Sequence, residues 1–95
     1  SYEIKKPEPK LIQALKIIKE NNGKLSKKEM ARICLDEKLI TINAENESQA
    51  TFASLDQNII SPLEKKWGFI EVEKIGRTRW IKITDEGINA SEFLI

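Results

Sequence analysis

The sequence predicts a small α+β domain in which three helices are followed by a β-hairpin and a short C-terminal helix. Apolar residues recur at helical spacing from Leu11 to Trp67, and from there to Ile83 they alternate on either side of a Gly-Arg pair. The 95 residues, 40% of them hydrophobic, are enough for one modest core but not for two. We therefore expect one domain at 9–95, preceded by an N-terminal arm at 1–8.

The first two helices are defined by their ends. From Pro9 onward apolar residues follow a helical period, and an Asn-Asn-Gly run stops it, so the first helix is expected at about 9–21. Ser26 and Glu29 then have the spacing of a capping box, in which each side chain bonds the other residue's backbone amide. The second helix should begin there and bury one apolar stripe: Met30, Ile33, Cys34 and Leu35.

The third helix is expected at 48–66, on an apolar face that steps by three and then four residues: Phe52, Leu55, Ile59, Leu63 and Trp67. Pro62 lies within it and has no N–H to bond the carbonyl of Asn58. Because the apolar period continues across the proline, we expect one helix with a bend near 60–62. The alternative is a separate helix from Ser61, since Ser-Pro-Leu-Glu is both a capping box and a proline at a first helical position.

The hairpin has a turn that fixes its register. If Gly76-Arg77 occupies the centre of a type II′ turn, which favours glycine first, one set of strand pairs follows. The predicted pairs run from Ile75–Thr78 through Lys74–Arg79, Glu73–Trp80, Val72–Ile81 and Glu71–Lys82 to Ile70–Ile83. This register places the apolar residues Ile70, Val72, Ile81 and Ile83 on one face. Glu71 and Lys82 should attract each other across the strands, while Lys74 and Arg79 project beyond the apolar face.

The composition argues against catalysis. There is no histidine and one cysteine, so the chain has no set of residues for a zinc site, a Cys/His pair or a Ser/His pair. It has no glycine-rich phosphate loop. Asp85-Glu86 and Glu71/Glu73 are better explained as a helix start and as cross-strand partners than as metal ligands. We expect no enzymatic activity, no cofactor and no metal.

The same composition bears on the protein's surroundings. Cys34 has no partner for an internal disulfide, which fits a reducing compartment, and its apolar neighbours predict core packing. No apolar run approaches 18 residues, and the chain does not begin with a signal-peptide pattern. We therefore expect a soluble, cytoplasmic protein that contacts no membrane.

Charge is unevenly distributed although the formal net charge is +1. Residues 1–28 carry eight lysines and three glutamates, and residues 65–82 carry six basic and two acidic residues. Residues 29–64, in contrast, carry seven acidic and two basic residues. Positive charge is therefore concentrated at the start of the chain and in the hairpin.

The order helix-helix-helix-strand-strand-helix, together with the segment SPLEKKWGFIEVEKIGRTRWIKITDEG, resembles the winged helix-turn-helix DNA-binding proteins. The segment is similar to small archaeal and bacterial regulators of the MarR and PadR kind, in which a leucine-lysine-glycine helix end leads into the wing and a Thr-Asp/Glu-Glu-Gly turn closes it. The resemblance implies a short first strand near 24–26, a recognition helix in the major groove, and a wing on the backbone or minor groove. The connection at 40–47 is long and acidic for such a protein.

The resemblance implies three groups of DNA-contacting residues. On the recognition helix, small and amide side chains are of the kind that read base edges, although a solvated helix face has a similar composition: Ser48, Gln49, Thr51, Ser54, Gln57 and Asn58. Asp56 argues against deep insertion there, because phosphates repel a carboxylate. The wing offers cations for phosphates, or alternatively a solvated edge: Lys74, Arg77, Thr78 and Arg79. Backbone contacts are expected at the start of the second helix: Lys24, Ser26, Lys27 and Lys28.

The expected function is sequence-specific binding of double-stranded DNA, as a nucleoid-associated transcriptional regulator. We expect a homodimer through the terminal segments, which carry spare apolar residues: Tyr2, Ile4, Ile88, Phe93, Leu94 and Ile95. Three alternatives use the same fold. These are a plasmid or chromosome partition protein, the specificity domain of a DNA enzyme, and a protein-binding assembly module.

Overall fold

The computed structural model describes residues 6–40 and 52–94, which form the elements predicted from the sequence and a three-stranded antiparallel sheet in the order β1-β3-β2. The elements in chain order are α1 at Pro9–Glu20, β1 at Lys24–Ser26, α2 at Lys27–Asp36, α3 over 52–66, β2 at Ile70–Ile75, β3 at Thr78–Ile83 and α4 at Asp85–Leu94. The α+β winged helix architecture is thereby confirmed. The acidic connection and the start of the third helix, at 41–51, lie outside the described residues.

The predicted hairpin register is confirmed at every pair, from Ile75 opposite Thr78 to Ile70 opposite Ile83. Gly76 has a φ of 63°, and positive φ does not extend to Arg77, which is the combination that a type II′ turn requires. β1 adds the third strand by pairing Leu25 with Ile81. The turn chemistry and the apolar alternation therefore specify the same sheet.

The core lies between one face of this sheet and the helices. Its largest fully buried apolar side chains come from all of these layers: Leu15, Ile18, Met30, Leu55, Ile59, Leu63 and Ile81. Two predicted core positions are wrong. Leu35 is exposed because it lies at the solvent side of α2, and Phe52 is exposed because its ring lies beside the Lys27 ammonium instead of entering the core.

At the start of α2, one of the two hydrogen bonds of the predicted capping box forms. Ser26 is extended, and its Oγ accepts a hydrogen bond from the Glu29 backbone N–H at 3.1 Å. The Glu29 carboxylate pairs with the Arg32 guanidinium at 2.9 Å instead of reaching back to Ser26. The serine thus caps the helix, and the glutamate supports an i,i+3 ion pair on its surface.

The helix α3 runs through Pro62 without a break. Asp56–Ile60 and Pro62–Lys66 are π-helical, and Ser61 between them has helical φ and ψ of −57° and −47° with no side-chain cap. The Ser61 N–H donates to the Asp56 carbonyl, five residues earlier. In the same way, the Trp67 N–H donates to the Pro62 carbonyl. A wider helix therefore accommodates the proline, so the prediction of one helix is right and the separate helix from Ser61 is not formed.

The wing is fixed to α4 by one threonine. The Thr84 hydroxyl donates to the Gly68 carbonyl at 2.6 Å and accepts from the Gly87 backbone N–H at 3.1 Å, which caps α4. Gly87 is required by a close approach, because a Cβ there would clash with the carbonyl oxygen of Phe69. The base of the hairpin is thus held to both neighbouring segments.

Candidate nucleic-acid interface

The inner face of the hairpin, defined as the side that bears Ile70, Val72, Ile81 and Ile83, continues beyond the core as a pair of cations. Lys74 and Arg79 are opposite each other and form the next pair on this face after Val72–Ile81. Because side chains alternate along a strand, both project toward α3. Together with α3 they bound the wing-side groove, lined by Lys27, Asp56, Ile60, Ser61, Glu64, Lys65, Val72, Lys74 and Arg79.

A second depression lies between the tip of the wing and the start of α2, and it shares Lys27, Asp56 and Arg79 with this groove. Its lining combines the two backbone-contacting groups predicted from the sequence: Ser26, Lys27, Lys28, Arg77, Thr78 and Arg79, together with Phe52 and Asp56 of α3. Among the described residues, Lys74, Arg77 and Arg79 form no ion pair. The fold therefore brings the wing and the start of α2 together as one basic surface.

Lys27 differs from the three wing cations in that an ionic partner for it lies among the described residues. Its ammonium contacts the Asp56 carboxylate at 2.7 Å and lies 5.4 Å from the centre of the Phe52 ring. The Lys27 side chain is 14% exposed, whereas Arg77 and Arg79 are open to solvent. The pair joins α2 to α3 and places a carboxylate within the basic surface.

Two of the predicted base-reading residues, Gln57 and Asn58, lie outside the wing-side groove on another part of the α3 surface. Gln57 is exposed, and Asn58 is half-buried with its amide nitrogen donating to the Ser54 carbonyl at 3.0 Å. Both line the other flank of the helix, in what we call the arm-side groove: Lys6, Glu8, Lys10, Leu11, Gln57, Asn58, Pro62, Lys66 and Trp67. Ser48, Gln49 and Thr51 lie outside the described residues.

Comparison with known families settles the class of this fold. The model of the DUF6293 C-terminal winged helix domain matches residues 10–95. The chain belongs to that family. No curated protein and no solved structure shows significant similarity to it. The winged helix fold is thus shown, while the closer resemblance to MarR and PadR regulators stays a prediction.

The outer face of the sheet in this winged helix domain carries charge of both signs. Lys82 forms its ion pair with the diagonal neighbour Glu73. Glu71, which lies directly opposite as predicted, also attracts Lys82 but forms no ion pair with it. The hydrogen bond between the two side chains lowers the pKa of Glu73 and raises that of Lys82. The Lys24 ammonium lies 5.1 Å from the ring centre of Trp80, which is half-buried. Lys24 therefore lies on this outer face, away from the Lys27–Lys28 surface.

Several residues of the winged helix domain's grooves were missed by sequence reasoning. Lys65 and Lys66 follow each other at the end of α3 but line different grooves, one on each flank. Lys6 and Lys10 approach α3 although they are distant from it in sequence. The excess of lysine in residues 1–28 was a signal for Lys6 and Lys10. Where these two lysines lie, however, depends on how α1 packs.

The described parts of this winged helix domain offer no alternative chemical site. Burial raises the pKa of the Cys34 thiol to about 12, with a smaller contribution from Glu37, so the thiol is protonated and unreactive at neutral pH. Within 6–40 and 52–94 no group of acidic, cysteine or histidine residues is arranged to hold a metal ion. No helix in those ranges is long and apolar enough to cross a membrane.

Proposed function

We propose that this winged helix domain binds double-stranded DNA in a sequence-specific manner and acts as a transcriptional regulator. The observation that supports it is the wing-side groove, where Lys74 and Arg79 face α3 without an ionic partner among the described residues. A helix bordered by unpaired cations suits a duplex, because phosphates flank a helix that enters the major groove. α3 would occupy that groove and the wing would follow the backbone or minor groove.

Within this proposal the two surfaces have different tasks. The cations of the wing and of the start of α2 neutralise phosphates, which contributes affinity for any sequence. The exposed amide of Gln57, with Asn58 beside it, contributes hydrogen bonds to base edges. The domain has no catalytic task in this scheme, and the same interface would serve a partition protein or the specificity domain of a DNA enzyme.

The proposal is tested by fluorescence anisotropy with DNA from upstream of the protein's own gene and with a scrambled duplex. We expect tighter binding to the upstream DNA at about 150 mM salt, and affinity for both duplexes that falls steeply as salt rises. Equal affinity for the two duplexes would contradict specificity. Binding that does not respond to salt would contradict a phosphate interface.

The C-terminal helix supports a homodimer as part of the proposal. Phe93 is 89% exposed and Ile88 is 42% exposed on α4. Two copies that bury these side chains would present two recognition helices to a two-fold DNA site. Deleting residues 89–95 should lower the mass measured by sedimentation velocity, and an unchanged monomer before and after the deletion would refute the dimer.

The same exposed residues favour a second candidate, a protein-binding winged helix. An apolar contact through Phe93 would respond weakly to salt, because no counterions are released. In this case Phe93→Ala would abolish partner capture while DNA anisotropy stayed flat for every duplex. The salt dependence of complex formation therefore separates the two candidates.

A further inference from the structure

We propose that the arm-side groove is a second phosphate-binding surface, which takes the DNA strand on the opposite side of α3 from the wing. The inference rests on the proposed DNA-binding function and deepens it. It adds Lys6, Lys10 and Lys66 to the interface, none of which the sequence assigned to DNA. With them, α3 has a basic groove on each flank.

The arm-side groove is built from two distant parts of the chain. The residues before and within the start of α1 supply Lys6 and Lys10, and the end of α3 supplies Lys66. Leu11 and Pro62 also line the groove. The arm is fixed at this point because Pro7 is buried. The three ammonium groups are thus presented on a folded surface.

The charge balance of this groove favours an anionic ligand. Its lining carries three lysines and one carboxylate, that of Glu8. Glu8 pairs with Lys10 at 3.5 Å on a surface where the Glu8 side chain is 69% exposed, so water screens the pair. Lys66 is exposed, and its ammonium lies 5.6 Å from the centre of the Trp67 ring, which leaves its N–H groups available to a phosphate. The groove therefore retains positive charge.

The position of the groove favours DNA over other polyanions. A B-DNA major groove is about 12 Å wide and admits a helix with a phosphate backbone on each side. The wing-side groove and the arm-side groove lie on opposite flanks of α3. Lys65 lines the wing-side groove and Lys66 lines the arm-side groove. A helix seated between two backbones requires this arrangement of cations. Gln57 and Asn58 line the arm-side groove, so their amides would read bases next to the second strand.

The test compares two double variants that remove the same charge. Lys10→Ala/Lys66→Ala changes the arm-side groove, while Lys16→Ala/Lys19→Ala removes two exposed lysines of α1 that lie outside it. Anisotropy at several salt concentrations with a scrambled duplex gives the slope of log K against log salt. We expect the groove variant to lose about 1.8 from the magnitude of this slope, at 0.9 for each lost phosphate contact. The control should retain the wild-type slope.

Two further variants make each result decisive. Arg79→Ala reports on the wing side and should lose about 0.9 from the slope if the proposed function is right. Lys10→Arg/Lys66→Arg keeps the charge and should bind like wild type, which would assign the loss in the alanine variant to the missing charges. The circular dichroism spectrum of the alanine variant should match that of wild type. If Arg79→Ala weakens binding while the groove variant matches its control, the second surface is refuted and DNA binding stands. If Arg79→Ala also binds as wild type does, the proposed function itself is overturned.

Discussion

The two faces of the hairpin carry basic residues in different ways. On the inner face, Lys74 and Arg79 follow directly after the buried apolar residues and have no ionic partner within the described part of the chain. On the outer face, Lys82 is paired with Glu73, and Lys24 of β1 covers the ring of Trp80. Both faces belong to the same sheet and differ in which residues lie next to each other across the strands.

This difference teaches that the register, and not the number of lysines, decides which charges can bind a ligand. A cation paired with a carboxylate adds no net positive charge to its surface, and it is net positive charge that attracts a phosphate. The shifted pKa values of Glu73 and Lys82 record this mutual stabilisation on the outer face. The inner-face cations have no ionic partner within 6–40 and 52–94, and they lie beside α3.

The largest expected effect is on the free energy of unfolding, and it compares one apolar residue on each face of the hairpin. Ile81→Ala removes a fully buried side chain where β3 pairs with both β1 and β2, and should lower the free energy of unfolding by about 2–5 kcal/mol. Ile75→Ala makes the same change on the outer face at a site that is 51% exposed, and should cost less than about 0.5 kcal/mol. Urea denaturation measures both. Similar losses for the two variants would show that the inner face is not the packed one.

The next effect concerns DNA affinity. Arg79→Ala and Lys82→Ala each remove one positive charge from β3, the first on the inner face and the second on the outer face. The inner variant should weaken binding to every duplex and lower the magnitude of the salt slope by about 0.9, whereas the outer variant should leave both near wild type. Anisotropy at several salt concentrations checks this. Equal losses would mean that net charge, rather than position, controls binding.

The smallest effect on DNA affinity is expected from Asp56, whose carboxylate lines the wing-side groove together with Lys74 and Arg79. Asp56→Asn releases Lys27 and removes repulsion of phosphates, so affinity for both specific and scrambled duplexes should rise severalfold. Since the Asp56 side chain is 46% exposed, its pair with Lys27 should contribute less than about 1 kcal/mol to stability.

Asp36→Asn makes the same chemical change at the far end of α2 and serves as the control. It should leave DNA affinity unchanged in the same anisotropy titration. An Asp56→Asn variant that binds less tightly than wild type would indicate that Asp56 contacts a base, since a carboxylate can accept from the cytosine amino group.

The sequence by itself determined the local features of this protein. Gly76-Arg77 and the alternation of apolar residues fixed the hairpin register, because a slip by one residue would turn every apolar side chain outward. Ser26 fixed the start of α2 through its hydrogen bond to Glu29. These features depend on residues close together in the chain or on a simple period, and so they are readable without a structure.

The tertiary structure decided which charges meet, because those contacts join residues that are distant in sequence. Lys27 and Asp56 are 29 residues apart, and their ion pair depends on the angle at which α2 packs against α3. Lys82 selects Glu73 over Glu71 because the two side chains meet diagonally across the strands. Likewise, the π-helical turns on either side of Pro62 help to set which flank of α3 each of Lys65 and Lys66 reaches. Period and composition carry no information on such rotations, because one added residue per turn changes the direction of every later side chain.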